Sequence, residues 1–144
     1  MREIIFRGKS KESGEWIYGV PCYFDDSRHI VKYLYNAEGG YVVGAESEEV
    51  IPDTIGQYTG LKDANGTKIF EGDIVESRAS ENKEDWKYWQ VIFYDGSYCF
   101  EREVKKRKYK YEQNLLCEDE VSLYGLVVVG NIHDNPELLE GVRE

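Results

Sequence analysis

Two short turn sequences constrain this chain more than any other feature. Asp63-Ala-Asn-Gly66 separates residues 55–59 from 68–70, and Asp95-Gly96 separates 88–94 from 97–100. The flanking segments are rich in Ile, Val, Tyr, Phe and Thr, which favour strands. Asn-Gly and Asp-Gly tolerate the positive φ that a type I′ turn demands at both central positions. Both sites therefore predict antiparallel hairpins, in a protein where sheet far exceeds helix. Around the first turn the pattern extends into a meander. Val50 and Ile51 precede Pro52, which pushes them toward extended geometry. Beyond the return strand, Glu71-Gly72-Asp73 turns a corner, and Ile74-Val75 begins a third strand.

The rest of the chain fits the same class. Among 144 residues there are 12 tyrosines and 14 glycines but only 3 prolines, a mix that suits strands joined by tight turns. Residues 2–7 read as a first strand with Ile4 and Phe6 on one face, and 15–19 as its hairpin partner. Residues 29–35 and 41–43 are strand-like. The acidic run 45–49 reads as a short helical turn or a loop, and 77–85 as a charged connection. Residues 102–111 are open between strand and helix. The β-branched run 126–132 has the profile of a central strand. Asn135, Pro136 and Glu137 supply an N-cap residue, a first-turn proline and a first-turn acid, predicting a short closing helix. The division expected is an N-terminal β-hairpin region, 1–49, followed by residues 50–144, with one compact unit as the alternative.

Chemistry-bearing patterns are sparse. Cys22, Cys99 and Cys117 are odd in number and lack any Cys-x-x-Cys pair, so they read as small apolar residues in a reducing compartment rather than a disulfide or zinc framework. Two histidines, His29 and His133, cannot build a three-histidine metal centre. No phosphate-binding loop, nucleophile elbow or zinc-protease motif occurs. Asp63-Ala-Asn-Gly66 matches the opening of a calcium loop but lacks its downstream ligands, and a hairpin turn explains it. Asp53, Glu71 and Asp73 are the carboxylates available for acid–base work, yet Asp73 after Gly72 is more simply an acceptor for local backbone N–H groups. No segment approaches the apolar length of a membrane helix, and a cytoplasmic location in a bacterial host is the expectation. Catalytic residues, metal and cofactor are all expected to be absent.

Charge is distributed in blocks. Residues 36–76 carry 2 basic and 9 acidic side chains, residues 101–114 carry 6 basic and 3 acidic, and residues 115–144 carry 1 basic and 7 acidic. The basic block consists of Arg102, Lys105, Lys106, Arg107, Lys108 and Lys110, with Tyr109 and Tyr111 interleaved. Cations with interleaved rings are what a single-strand nucleic-acid strip uses. The plainer reading is a solvated edge that offsets an acidic remainder. A net charge of −10 disfavours a phosphate backbone as partner. Opposite blocks on one chain also suit association with a second copy or another protein.

Four segments together carry a family resemblance: MREIIFRG, GEWIYG, IGQYTGLKDANGTKIFEGDIV and VVVGNIHDNPELL. In this order they resemble the YopX family of bacteriophage and prophage proteins. The resemblance implies a mostly β protein with an SH3-like barrel built from antiparallel hairpins, preceded by a β extension and closed by a short helix. It brings no biochemical activity to particular residues. The expected function is a non-enzymatic adaptor or self-assembling accessory protein, binding itself or another protein, with residues 102–111 as the candidate surface. A single-stranded nucleic-acid-binding accessory protein is the alternative, and a small enzyme is third.

Overall fold

The computed structural model describes residues 3–104 and 111–140. The chain divides into two compact units, residues 1–58 and 59–144.

The first unit is antiparallel sheet. Its strands are β1 (Phe6–Lys9), β2 (Trp16–Phe24), β3 (Ser27–Tyr35) and β4 (Val42–Glu49), followed by a 3-10 turn, Pro52–Thr54, and the start of β5 (Gly56–Lys62). β1 lies between β2 and the first residues of β5, with Phe6 opposite Gly19 on one side and Gln57 on the other. β3 lies between β2 and β4. Ile30 and Val50 are the fully buried apolar side chains here. Pro52 opens the 3-10 turn, with Ile51 extended before it. Thr54 Oγ1 accepts a hydrogen bond from Lys9 N at 2.8 Å, fastening that turn to β1.

Two expectations change in this unit. The first strand is β1, starting only at Phe6, and Ile4 before it is 65% exposed. The acidic run 45–49 is neither helical turn nor loop but most of β4, registered from His29 opposite Glu49 to Tyr33 opposite Ala45. Cross-strand pairing outweighs the poor intrinsic strand preference of glutamate.

In the second unit, β6 (Lys68–Phe70) follows the first hairpin turn. A five-stranded antiparallel sheet follows in the order β10-β9-β8-β7-β11. Its strands are β7 (Asp73–Ser77), β8 (Lys87–Tyr94), β9 (Ser97–Glu103), β10 (Tyr111–Leu115) and β11 (Leu126–Asn131). Helices α1 (Glu118–Tyr124) and α2 (Glu137–Glu140) flank β11 in sequence. Among the described residues β10 and β11 end the order and do not pair with each other, so hydrogen bonding does not close this sheet into a barrel. Its core comprises Ile69, Val75, Trp89, Val91, Phe100, Leu116, Val121 and Leu126. Phe100 meets Trp89 edge-on at 5.0 Å and Tyr124 at 5.2 Å, the preferred aromatic geometry.

The two predicted turns differ in kind. Asp95 (φ 51) and Gly96 (φ 80) both take positive φ, as a type I′ turn requires. Asn65 does not; only Gly66 (φ 81) is left-handed, and Gly66 N donates to Asp63 O while Asp63 N donates to Thr67 O. The cause is the Asp63 side chain, whose Oδ1 accepts from Asn65 N and Thr67 N, each at 2.8 Å. Its Oδ2 accepts from Val128 N at 2.8 Å, and Ala64 N donates to Leu126 O. The loop therefore occupies backbone groups of β11 that β7 does not use. β11 is an end strand rather than the central strand its composition suggests, and its apolar run meets the core through Leu126, fully buried, and Val128 packed against it. Helix α1 was not legible beforehand. It opens on three acids, Glu118, Asp119 and Glu120, and stops at Gly125 in the left-handed conformation.

Asp63 is 7% exposed, so its three N–H partners have little access to water once it is gone. Asp63→Ala should lower unfolding stability in urea by about 2–4 kcal/mol, and Asp63→Asn, which keeps one acceptor oxygen, by roughly half that. A loss under about 0.5 kcal/mol for Asp63→Ala would contradict this placement.

Candidate interaction site

The basic strip is only partly available. Arg102 lies in β9 and pairs with Glu112 of β10 (Nη2 to Oε2, 2.9 Å; Nε to Oε2, 3.0 Å). Its guanidinium sits 5.3 Å from the Trp89 ring centroid and its side chain is 11% exposed, so it is engaged within the fold rather than presented to a phosphate. Tyr111, the first residue of β10, is exposed. Lys105, Lys106, Arg107, Lys108, Tyr109 and Lys110 lie outside the described residues, between β9 and β10 in the chain.

Of the carboxylates and histidines singled out, Asp73 braces backbone, whereas His29 contacts side chains. Asp73 is buried and its Oδ2 accepts from Phe70 N at 2.7 Å, closing the Glu71-Gly72 corner. Asp53 is exposed in its 3-10 turn in the first unit. His29 Nε2 lies 2.9 Å from Ser27 Oγ, and the ring stands edge-on to Phe24. Asn131 Oδ1 accepts from His133 N and Asp134 N, and Asn131 Nδ2 donates to Asp134 Oδ2, so this run is a braced turn ahead of α2. Both oxygens of Asp63 accept from backbone N–H groups, so this residue serves as the brace of its loop. Among the described residues no group of three or more His, Cys, Asp or Glu is placed to hold a metal ion.

The cysteines are free thiols. Burial, then the nearby charges of Glu101 and Asp95, push the Cys99 thiol up. A thiol shifted that way is a poorer nucleophile at neutral pH, because the thiolate is the reactive form. Burial likewise pushes the Glu101 carboxyl up.

A larger feature lies in the first unit, away from the candidate surface 102–111. A cleft of about 780 Å³ is lined from β2 and β3, with contributions from the segment before β1 and from β4. It exists because β2 changes partners along its length. Residues Trp16 to Gly19 pair with β1, whereas Val20 to Phe24 pair with Ser27 to Val31 of β3. Beyond Val31, β3 continues to Tyr35 with only β4 beside it, and the two strands diverge. Gly19 sits at the apex of this fork. A Cβ there would lie 2.2 Å from Val31 O, so no side chain fits.

The walls of the fork differ. Val20 opposite Val31 sets one face, which continues to Tyr18 and Tyr33, exposed by 45% and 46%. On the other face Ile30 opposes Glu48 and Lys32 opposes Glu46. Glu48 Oε2 is shielded from solvent and has no hydrogen-bond partner. The only advance signal was the tyrosine-rich pair of strands WIYGVPCYF and HIVKYLY, more apolar on both faces than a solvated sheet needs.

With this geometry in hand, comparison with known proteins places the chain. The YopX protein family pattern matches residues 5–140, nearly the whole length. The chain belongs to the YopX family. No curated protein matches it. Among solved structures it is similar to the crystal structure of protein EF1440 from Enterococcus faecalis. The two share 24% identity over 96% of this chain and 99% of that one, with a TM-score of 0.59. That likeness shows a shared fold. Among the described residues no helix of this YopX chain is long and apolar enough to cross a membrane.

The Glu101 shift makes a signed prediction. Its folded-state pKa lies above its unfolded value, so stability falls as pH rises through that interval. Glu101→Gln should therefore raise the Tm at about pH 7.5, and the gain should vanish at about pH 3, where wild-type Glu101 is protonated folded or unfolded. Thermal scans at both pH values check this, and a gain that persists in acid would contradict it.

Proposed function

We propose that this YopX chain is a non-enzymatic, prophage-encoded adaptor or assembly protein that acts in the bacterial cytoplasm by binding other copies of itself. The observation that carries this reading is the fork between β2 and β3. It is a large concave site walled by exposed tyrosines on one face and by Ile30, Lys32 and two carboxylates on the other, in a chain with one concentrated basic block. Interfaces are enriched in such aromatic residues. Asp73 is bonded to backbone, His133 and Asp134 lie in a braced turn, and the Cys99 thiol is shifted away from its reactive form. The antiparallel hairpins of the second unit are the material of an SH3-like barrel, and we assign that type, in an open form, to it.

The second reading, single-strand nucleic-acid binding through residues 102–111, loses Arg102 to its pairing with Glu112 and Trp89. Light scattering separates the two. Wild type should show a mass above one chain that falls with added salt, since exposed charge pairs are screened beyond about 8–10 Å at physiological ionic strength. The triple variant Lys105→Glu, Arg107→Glu, Lys108→Glu should run as a single chain. Retention of a single-stranded oligonucleotide by a monomeric wild type, lost in the triple variant, would overturn the proposal in favour of the second reading.

A further inference from the structure

We infer that the fork between β2 and β3 is an acceptor site for an added β-strand, and that its occupant is the basic segment 106–110 of a second copy of this chain. The inference rests on the self-association reading above and names the surfaces that meet.

Backbone accounting points to strand addition. Antiparallel ladders alternate bonded and non-bonded pairs. Val50 N donates to Arg28 O at 2.9 Å, so the even-numbered residues of β3 direct their backbone groups at β4. The odd-numbered residues direct theirs to the other side, where Ser27 to Val31 meet β2. Tyr33 is the next odd residue. Its N–H and C=O face the fork, past the point where the β2 ladder has ended. An open strand edge beside a cleft is what an extended segment needs in order to join a sheet by main-chain hydrogen bonds.

The walls set the sequence that fits. Successive side chains of an inserted strand alternate between the two faces. One set meets Tyr18 and Tyr33; the other meets Lys32 of β3 and, across it on β4, Glu46 and Glu48, whose shielded Oε2 lacks a donor. The segment required therefore alternates cations with residues that stack on rings. Residues 106–110 read Lys-Arg-Lys-Tyr-Lys. In extended form Lys106, Lys108 and Lys110 share one side, facing the carboxylates. Arg107 and Tyr109 share the other, facing the tyrosines, where guanidinium and phenol rings both stack well. No other segment of this acidic chain combines that charge with that alternation.

The test is complementation between two full-length variants, read by light scattering. A cleft variant, Glu46→Lys with Glu48→Lys, keeps an intact strip. The strip variant, Lys105→Glu, Arg107→Glu and Lys108→Glu, keeps an intact cleft. Each alone should run as one chain, and an equimolar mixture should recover at least the mass of two, because one cleft and one strip remain compatible. Recovery also shows that both variants are folded. A mixture that stays at the mass of one chain overturns the inference. If the strip variant dissociates while the cleft variant associates as wild type does, self-association stands and the fork is not its site. If wild type is itself a single chain at all concentrations, both readings fail. A synthetic peptide of residues 105–112 gives a further readout. It should dissociate the wild-type assembly, and methylating its alternate backbone nitrogens should weaken that competition about tenfold or more, equivalent to about 1.4 kcal/mol. Equal competition by the methylated peptide would show charge attraction without strand addition and overturn the inference.

Discussion

One carboxylate organises much of the second unit. Asp63 accepts three backbone N–H groups, two inside its own loop and one from β11, 65 residues further along. The first two make the loop; the third joins it to a strand whose other edge pairs with β7. A sheet end left unpaired presents a row of donors and acceptors that attract other chains. Here that end is occupied by Asp63 and Ala64, so the turn that reverses the chain also seals the sheet. Asp73 acts similarly at the next corner, where a carboxylate fixes a backbone donor at a glycine turn.

The first unit leaves a comparable problem open. β2 is too long to be served by one neighbour and passes from β1 to β3 near Gly19. The glycine permits the close approach to Val31 O from which the two strands part. Beyond that apex, among the described residues, no loop is laid across the free side of β3 as Asp63 is across β11. The chain thus manages one exposed edge with its own side chain and keeps another beside a cleft lined by tyrosine and glutamate. That contrast between a sealed and an unsealed edge, within one fold class, is what motivates the proposal of association through the first unit.

The strands flanking the two turns, and the Asp95-Gly96 turn itself, were legible in the sequence because local chemistry determines them. So was the closing helix, where Asn135, Pro136 and Glu137 each favour a helix start. What escaped reading depends on contacts distant in sequence. Glu46, Glu48 and Glu49 look like loop residues until β3 is beside them. Asn65-Gly66 looks like a two-residue turn until the Asp63 carboxylate lengthens it. The composition of β11 indicates burial but cannot say which side is covered by a strand and which by a loop. For the site, the sequence marks the basic block but could not show that Arg102 is taken by Glu112 and Trp89. The fork itself could not be read, since a strand's change of partner leaves only a glycine at an unremarkable position and a tyrosine-rich pair of strands around it.

Amide hydrogen exchange compares the two edges directly. The account predicts that Val128 N–H, although on an end strand, exchanges only through large-scale opening, because Asp63 Oδ2 holds it away from water. Tyr33 N–H, although inside a strand, should exchange far faster in the dissociated protein and become protected on association. Slow exchange at Tyr33 in the isolated chain, or fast exchange at Val128, would contradict it.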